Sequence, residues 1–191
     1  ILNKKISSSS LYNWKWGIFV KKAIIILTIL VTILSLNKEE KVEIPKDSIR
    51  FRVVANSNSE KDQTIKKKIV NNLKENISLL EYNNKSLKSS RNNIKKIIPK
   101  FSEVVDKTLT DEQENITYNI NYGMNYFPEK EYKGTIYKEG KYESLVITLG
   151  NGQGNNFWCV LFPPLCLLDE EDETTNVEYT SLVKEIIDKY F

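Results

Sequence analysis

IRFRVVANSNSEKDQTIKKKIVNNLKENISLL, residues 49–80, changes its hydrophobic period once along its length. The opening IRFRVVA alternates and then runs apolar, a strand pattern that puts Arg50 and Arg52 on one face. Asn56-Ser57-Asn58-Ser59 is a cluster of turn formers. From Ile65 onward the apolar residues recur at Ile69, Leu73, Ile77 and Leu80, which is one stripe of an amphipathic helix. Ser57 and Glu60 have the spacing of a capping box, with Ser59 as a competing N-cap. Lys66, Lys67, Lys68 and Lys74 lie mostly off the stripe and read as a solvated face.

Toward the C-terminus the same periods recur. A second helical pattern covers residues 87–109 through Ile94, Ile97, Ile98, Phe101, Val104 and Val105, and Pro99 is expected to kink or divide it. Ile116, Tyr118 and Ile120 alternate as in a half-buried strand, residues 126–137 look irregular, and 142–149 (YESLVITL) read as a strand. The loop GNGQG (150–154) leads into the very apolar strand 157–162, FWCVLF. After the acidic run 169–173, a last helix is predicted over 177–190, with Leu182, Val183, Ile186 and Ile187 on one face. The predicted fold is α+β: a single domain with a mostly antiparallel sheet and two or three helices, following an N-terminal signal or anchor helix.

Toward the N-terminus the chain carries an address. Residues 23–36 (AIIILTILVTILSL) are uncharged and follow Lys21-Lys22. A basic flank and then an apolar run of about 7–15 residues is the pattern of an export signal. A membrane span takes about 20 apolar residues, and snorkelling lysines would lengthen this one. No A-x-A site follows, so a cleaved signal and an anchor both fit. The expected division is 1–36 as signal peptide or membrane anchor, 37–48 as a polar linker, and 49–191 as the exported domain.

Charge divides along the same line. Residues 1–36 hold five lysines and no acid; the 28 basic residues less these five leave 23, against 25 acidic. An exported part at net −2 is a poor nucleic-acid binder, because phosphate neutralisation needs a clustered excess of Lys and Arg. Within it, residues 60–107 carry 12 basic and 6 acidic side chains, and 108–191 carry 6 and 15. The two halves either attract each other, the preferred reading because it needs no function, or offer a partner two differently charged faces. There is no histidine. That removes the commonest general base and zinc ligand, and with them every Ser-His or Cys-His nucleophile pair. Carboxylate catalysis is left open.

Cys159 and Cys166 bracket the run WCVLFPPLC (158–166). Outside the membrane this spacing reads as a disulfide; in a reducing habitat it reads as two buried thiols. Metal binding lacks ligands, and a catalytic thiol lacks an activating histidine. The glycine loop lacks the Gly-Lys-Ser/Thr ending of a phosphate cradle and leads into a strand. Trp158, Phe162 and the Pro163-Pro164 corner are either core anchors or a recognition surface.

Two segments resemble one family, stage II sporulation protein R. Residues 51–70 (FRVVANSNSEKDQTIKKKIV) are similar to its N-terminal signature, and 157–169 (FWCVLFPPLCLLD) to its C-terminal one. NYFP (125–128) and residues 142–154 match in kind and order, so the resemblance covers roughly 49–169. Asn58 stands where the family usually has Asp, and Phe157 where a second Trp is common. The resemblance implies a non-enzymatic signalling protein, made in the forespore and exported between the forespore and mother-cell membranes, free or anchored to the forespore membrane. Its implied partner is a membrane-embedded aspartic protease of the mother cell that processes pro-sigma-E. Neither cofactor nor small-molecule substrate is expected. The expected contact residues are Arg50, Arg52, Asn56, Ser57, Trp158, Phe162, Pro163 and Pro164. Two other classes fit the residues: a secreted carboxylate-dependent hydrolase of the cell wall, and a structural protein of the spore envelope.

Overall fold

The strand IRFRVV becomes β2 (Ile49–Val54), which is buried except at Arg52 and lies inside a sheet. Its neighbours are supplied from far along the chain in this computed structural model, which describes Trp16 and residues 19–31, 42–166 and 176–191. Residues 19–31 form a helix, α1, within a separate N-terminal unit, residues 1–40, and its side chains are exposed. Among the described residues no helix is long and apolar enough to cross a membrane. The remainder of the apolar run and the acidic stretch 169–173 lie outside the described residues.

In the second unit, residues 41–191, α2 (Glu60–Asn83) and α3 (Leu87–Asp111) follow β2. Then come β3 (Tyr118–Phe127), β4 (Lys130–Tyr132), β5 (Thr135–Tyr137), β6 (Gly140–Leu149), β7 (Asn156–Phe162) and α4 (Asn176–Tyr190). β1 (Val42–Glu43) precedes β2. The main sheet has the order β3-β6-β2-β7; β3/β6 and β2/β7 pair antiparallel and β2/β6 parallel. A smaller sheet has the order β1-β5-β4. The fold is α+β, as read from the sequence.

α2 and α3 cover one face of the main sheet. The predicted stripe Ile65, Ile69, Leu73, Ile77 and Leu80 is buried against Phe51, Val53, Phe101, Val105, Leu145 and Ile147. Each such side chain contributes about 1.5–3 kcal/mol over its exposed state, so tertiary burial holds α2 in place more than helix propensity does. The charge halves meet through Lys61–Glu114 (2.7 Å), Lys68–Glu112 (2.6 Å) and Arg91–Glu143 (2.8 Å).

Several expectations need correction. Ser59 alone caps α2, its hydroxyl accepting from the Asp62 N–H, because Asp62 rather than Glu60 takes the Ser57 hydroxyl. Pro99 lies inside a continuous α3, whose apolar face packs on both sides of it at Ile94 and Phe101. Residues 126–137, expected to be irregular, instead end β3 and form β4 (130–132) and β5 (135–137) about a turn at Lys133 and Gly134. The expected linker is folded from Val42 onward, where β1 pairs with β5 and Ile44 is buried. Ile44 joins Tyr137, Val160, Leu165, Tyr179 and Val183 in a second apolar cluster on the opposite side of the main sheet. α4 contributes Tyr179 and Val183 to it, whereas Leu182 is exposed. Lys66 is also buried, its ammonium donating to Gln63 Oε1 (2.6 Å) and the Asn155 carbonyl (3.1 Å).

Candidate partner interface

β2 and β7, the strands holding the two signature segments, pair directly, with Arg52 opposite Trp158. Strand alternation turns Arg50 and Arg52 away from α2 and α3, onto the face that carries Trp158. There the guanidinium of Arg50 stacks on Tyr142 at 3.4 Å from the ring centroid, with Phe127 at 5.2 Å and Tyr137 at 5.8 Å. Arg52 stacks on Phe127 at 4.6 Å, and Phe127 meets Trp158 edge to face at 5.2 Å. Lys130 lies over Trp158 at 5.3 Å. The result is a row of cations and rings: Arg52, Phe127, Trp158, Lys130. Cation–π contacts contribute about 0.5–2 kcal/mol each, so they favour this arrangement of the row.

Among the described residues neither arginine has an acidic partner. Arg50 donates through Nη2 to the Lys138 carbonyl (3.3 Å), and Arg52 through Nη1 to the Tyr126 carbonyl (3.4 Å). Arg50 Nε and Nη1 and Arg52 Nε are buried without a hydrogen-bond partner among the described residues. Burial pulls both guanidinium pKa values below the ordinary arginine value; the nearby tyrosines oppose this at Arg50.

The expected contact residues separate into three groups. Arg52, Trp158 and Pro164 keep partial exposure on the surface. Arg50, Phe162 and Pro163 are buried. Arg50 is 1% exposed and Phe162 2%. Phe162 is roofed by Tyr190 and Phe191, at 5.3 and 6.0 Å between centroids. Asn56 and Ser57, partly exposed, are engaged internally. The Asn56 amide nitrogen donates to Asp62 (3.0 Å), its oxygen accepts from the Asn151 N–H (2.9 Å), and the Ser57 hydroxyl donates to Asp62. These hydrogen bonds, the one from Ser57 foremost, hold the Asp62 carboxyl below its ordinary pKa.

The glycine loop completes this lock. A Cβ on Gly154 would come within 2.2 Å of the Ser57 carbonyl oxygen, and Gly150, at φ +52°, leaves the same clearance to Asn56 Oδ1. Asn58 Oδ1 accepts from the Asn155 N–H at 2.7 Å, an acceptor role that Asp would also fill. The loop GNGQG is therefore a close-approach surface for the NSNS turn, and the two motifs form one structural unit.

Cys159 and Cys166 are bonded to each other, with Cα atoms 4.8 Å apart, around a cis Phe162–Pro163 peptide. The loop is tied to α2: the Cys166 N–H donates to buried Glu81 (2.8 Å), and Asn84, fully buried, donates to the Leu161 carbonyl (3.4 Å). Sequence reasoning missed Glu81 and Asn84, and also Phe127, Tyr137 and Tyr142. Only the polar break at the end of the α2 stripe hinted at the first pair.

Residues 45–172 match the family described as Stage II sporulation protein R. A curated protein named Stage II sporulation protein R, from Bacillus subtilis (strain 168), is 34% identical over 188 residues, covering 87% of this chain and 84% of its own length. No solved structure gives a significant match.

Proposed function

The chain belongs to the stage II sporulation protein R family and is a sporulation protein; from that premise we propose that it acts by contact, as an exported signal. In this reading it is made in the forespore and delivered by its apolar N-terminal segment to the space between the two membranes. There it binds the membrane-embedded aspartic protease of the mother cell and favours its active arrangement, so that pro-sigma-E is processed. No catalysis by the chain itself is required. A ligand that moves a receptor from 1:99 to 99:1 must bind the active state about 10⁴-fold more tightly, which calls for a rigid, preformed surface.

The observation that supports this reading is the pairing of Arg52 with Trp158. It brings both signature segments to one face and leaves an aromatic and a cation, both frequent binding hot spots, partly exposed there. The test is co-expression with the protease and its precursor in a non-sporulating host. Trp158→Ala should abolish processing while the protein still folds and is exported. Processing at the unaltered level would remove this surface from the account.

A further inference from the structure

We propose that the outer edge of β7, at residues 156–158, docks an extended acidic segment of a protein partner by strand addition. The inference rests on the partner-activation reading and names the chemistry of the partner at that surface.

The backbone direction comes first. β7 is an edge strand, paired within the main sheet to β2 alone. The Val160 carbonyl accepts from the Leu165 N–H, so it points away from β2. Peptide groups two residues apart in a strand point the same way. The N–H and C=O of Trp158 therefore face outward, and among the described residues they have no partner. An unpaired edge is a template for another strand.

Beside that edge is a cavity of about 250 Å³ lined by Lys130, Tyr132, Tyr137, Asn156, Phe157 and Trp158. Three consecutive residues of β7 line it together with Lys130, Tyr132 and Tyr137, so it lies against this stretch of the strand. Its size suits one side chain, not a cofactor. A strand laid on β7 would place alternate side chains here.

Charge selects the occupant. Lys130 and Lys66 flank the edge from opposite faces, and Arg52 adjoins Trp158. Among the described residues none of the three forms an ion pair, although six other ion pairs are present. Glu131 alternates to the other face of β4, opposite Ile136, and Glu129 lies just outside that strand. Burial and repulsion from Lys67 and Lys130 keep the Lys66 pKa below the ordinary lysine value, as expected where cations gather without a counter-charge. Carboxylates on alternate positions of an incoming strand would all point to the Trp158 face and supply it to Lys130 and Arg52.

The experiment is selection of a displayed random heptapeptide library on the purified full-length protein, in parallel with its Lys130→Glu variant. Circular dichroism melts check that the variant is folded. Expected are peptides with Asp or Glu at alternate positions. Their binding should weaken at least about tenfold against Lys130→Glu and be lost when the backbone amides facing the edge are N-methylated. Absence of acidic enrichment, equal binding by the variant, or indifference to N-methylation would each overturn the proposal. If the peptides bind as expected but do not compete with protease activation, the docking edge stands and the activation reading falls.

Discussion

Arg50 is the sharpest place to perturb the fold, because a buried cation without a carboxylate among the described residues can be structural or functional. Replacing it with methionine keeps most of the stem volume and removes the charge. The losses are the stack on Tyr142, about 2 kcal/mol for a desolvated cation–π contact, and one long hydrogen bond to the Lys138 carbonyl, about 1 kcal/mol. The gain is release of the unpartnered Nε and Nη1, at about 1–3 kcal/mol each. Losses of about 3 kcal/mol against a gain of about 2–6 kcal/mol place Arg50→Met between about 1 kcal/mol less stable and about 3 kcal/mol more stable than the parent. Arg50→Ala also removes the stem from a site 1% exposed, which adds the usual large-to-small cost of about 2–4 kcal/mol. Urea unfolding at equal m-values measures both. Precursor processing should be unchanged in Arg50→Met, since the residue does not reach the surface. If methionine proves as damaging as alanine, the fold needs the charge and the balance of these terms is wrong. If methionine folds normally but processing is lost, Arg50 belongs to the interface after all.

The other expectations are briefer. Cys159→Ser should lower stability by about 2–3 kcal/mol in the chain-entropy treatment of so short a loop, and reductant should lower the parent, but not the variant, by a similar amount in the same urea assay. Gly154→Ala drives a methyl into the Ser57 backbone, so it should separate the NSNS turn from the loop at a cost of about 2 kcal/mol or more, seen as lost hydrogen-exchange protection at Gly154 and Asn155. The folded Asp62 carboxyl titrates below its unfolded value of about 4, so its contribution is complete above that pH and is lost as pH falls through the folded pKa. Asp62→Asn should therefore flatten the acid limb of stability against pH and leave the neutral limb less affected. An acid limb unchanged by the substitution would assign the loss to other carboxylates.

The sequence was most legible where one period ran long. The α2 stripe, the strand IRFRVV and the shared face of Arg50 and Arg52 could all be read because burial imposes its spacing directly on the residues. Pairing was not legible: nothing in YESLVITL says that it lies parallel to β2, since the same apolar run fits any inner strand. β1, β4 and β5 are two or three residues each, too short for alternation to register. Burial of polar residues was hidden for a related reason. Lys66 and Arg50 look like surface residues in a composition reading, and only the distant partners, the Asn155 carbonyl and the ring of Tyr142, make their burial tolerable.

The distribution of burial within WCVLFPPLC constrains what that motif can do. Cys159, Val160, Leu161, Phe162, Pro163, Leu165 and Cys166 are buried; Trp158 and Pro164 are the members that show to solvent. The segment packs into both apolar clusters, ties α2 through Glu81 and Asn84, and receives Tyr190 and Phe191 from the C-terminal end. Most of the motif is thus spent on holding three layers together. Recognition has to come from what this scaffold makes rigid at its margin: the Trp158 ring fixed between Phe127 and Lys130, and the outward peptide group of the same residue. Substitutions inside the motif are expected to act through folding, whereas substitutions at Trp158, Arg52 and Lys130 should alter binding with the melting temperature nearly unchanged. That split between two measurements separates a contact surface from a core.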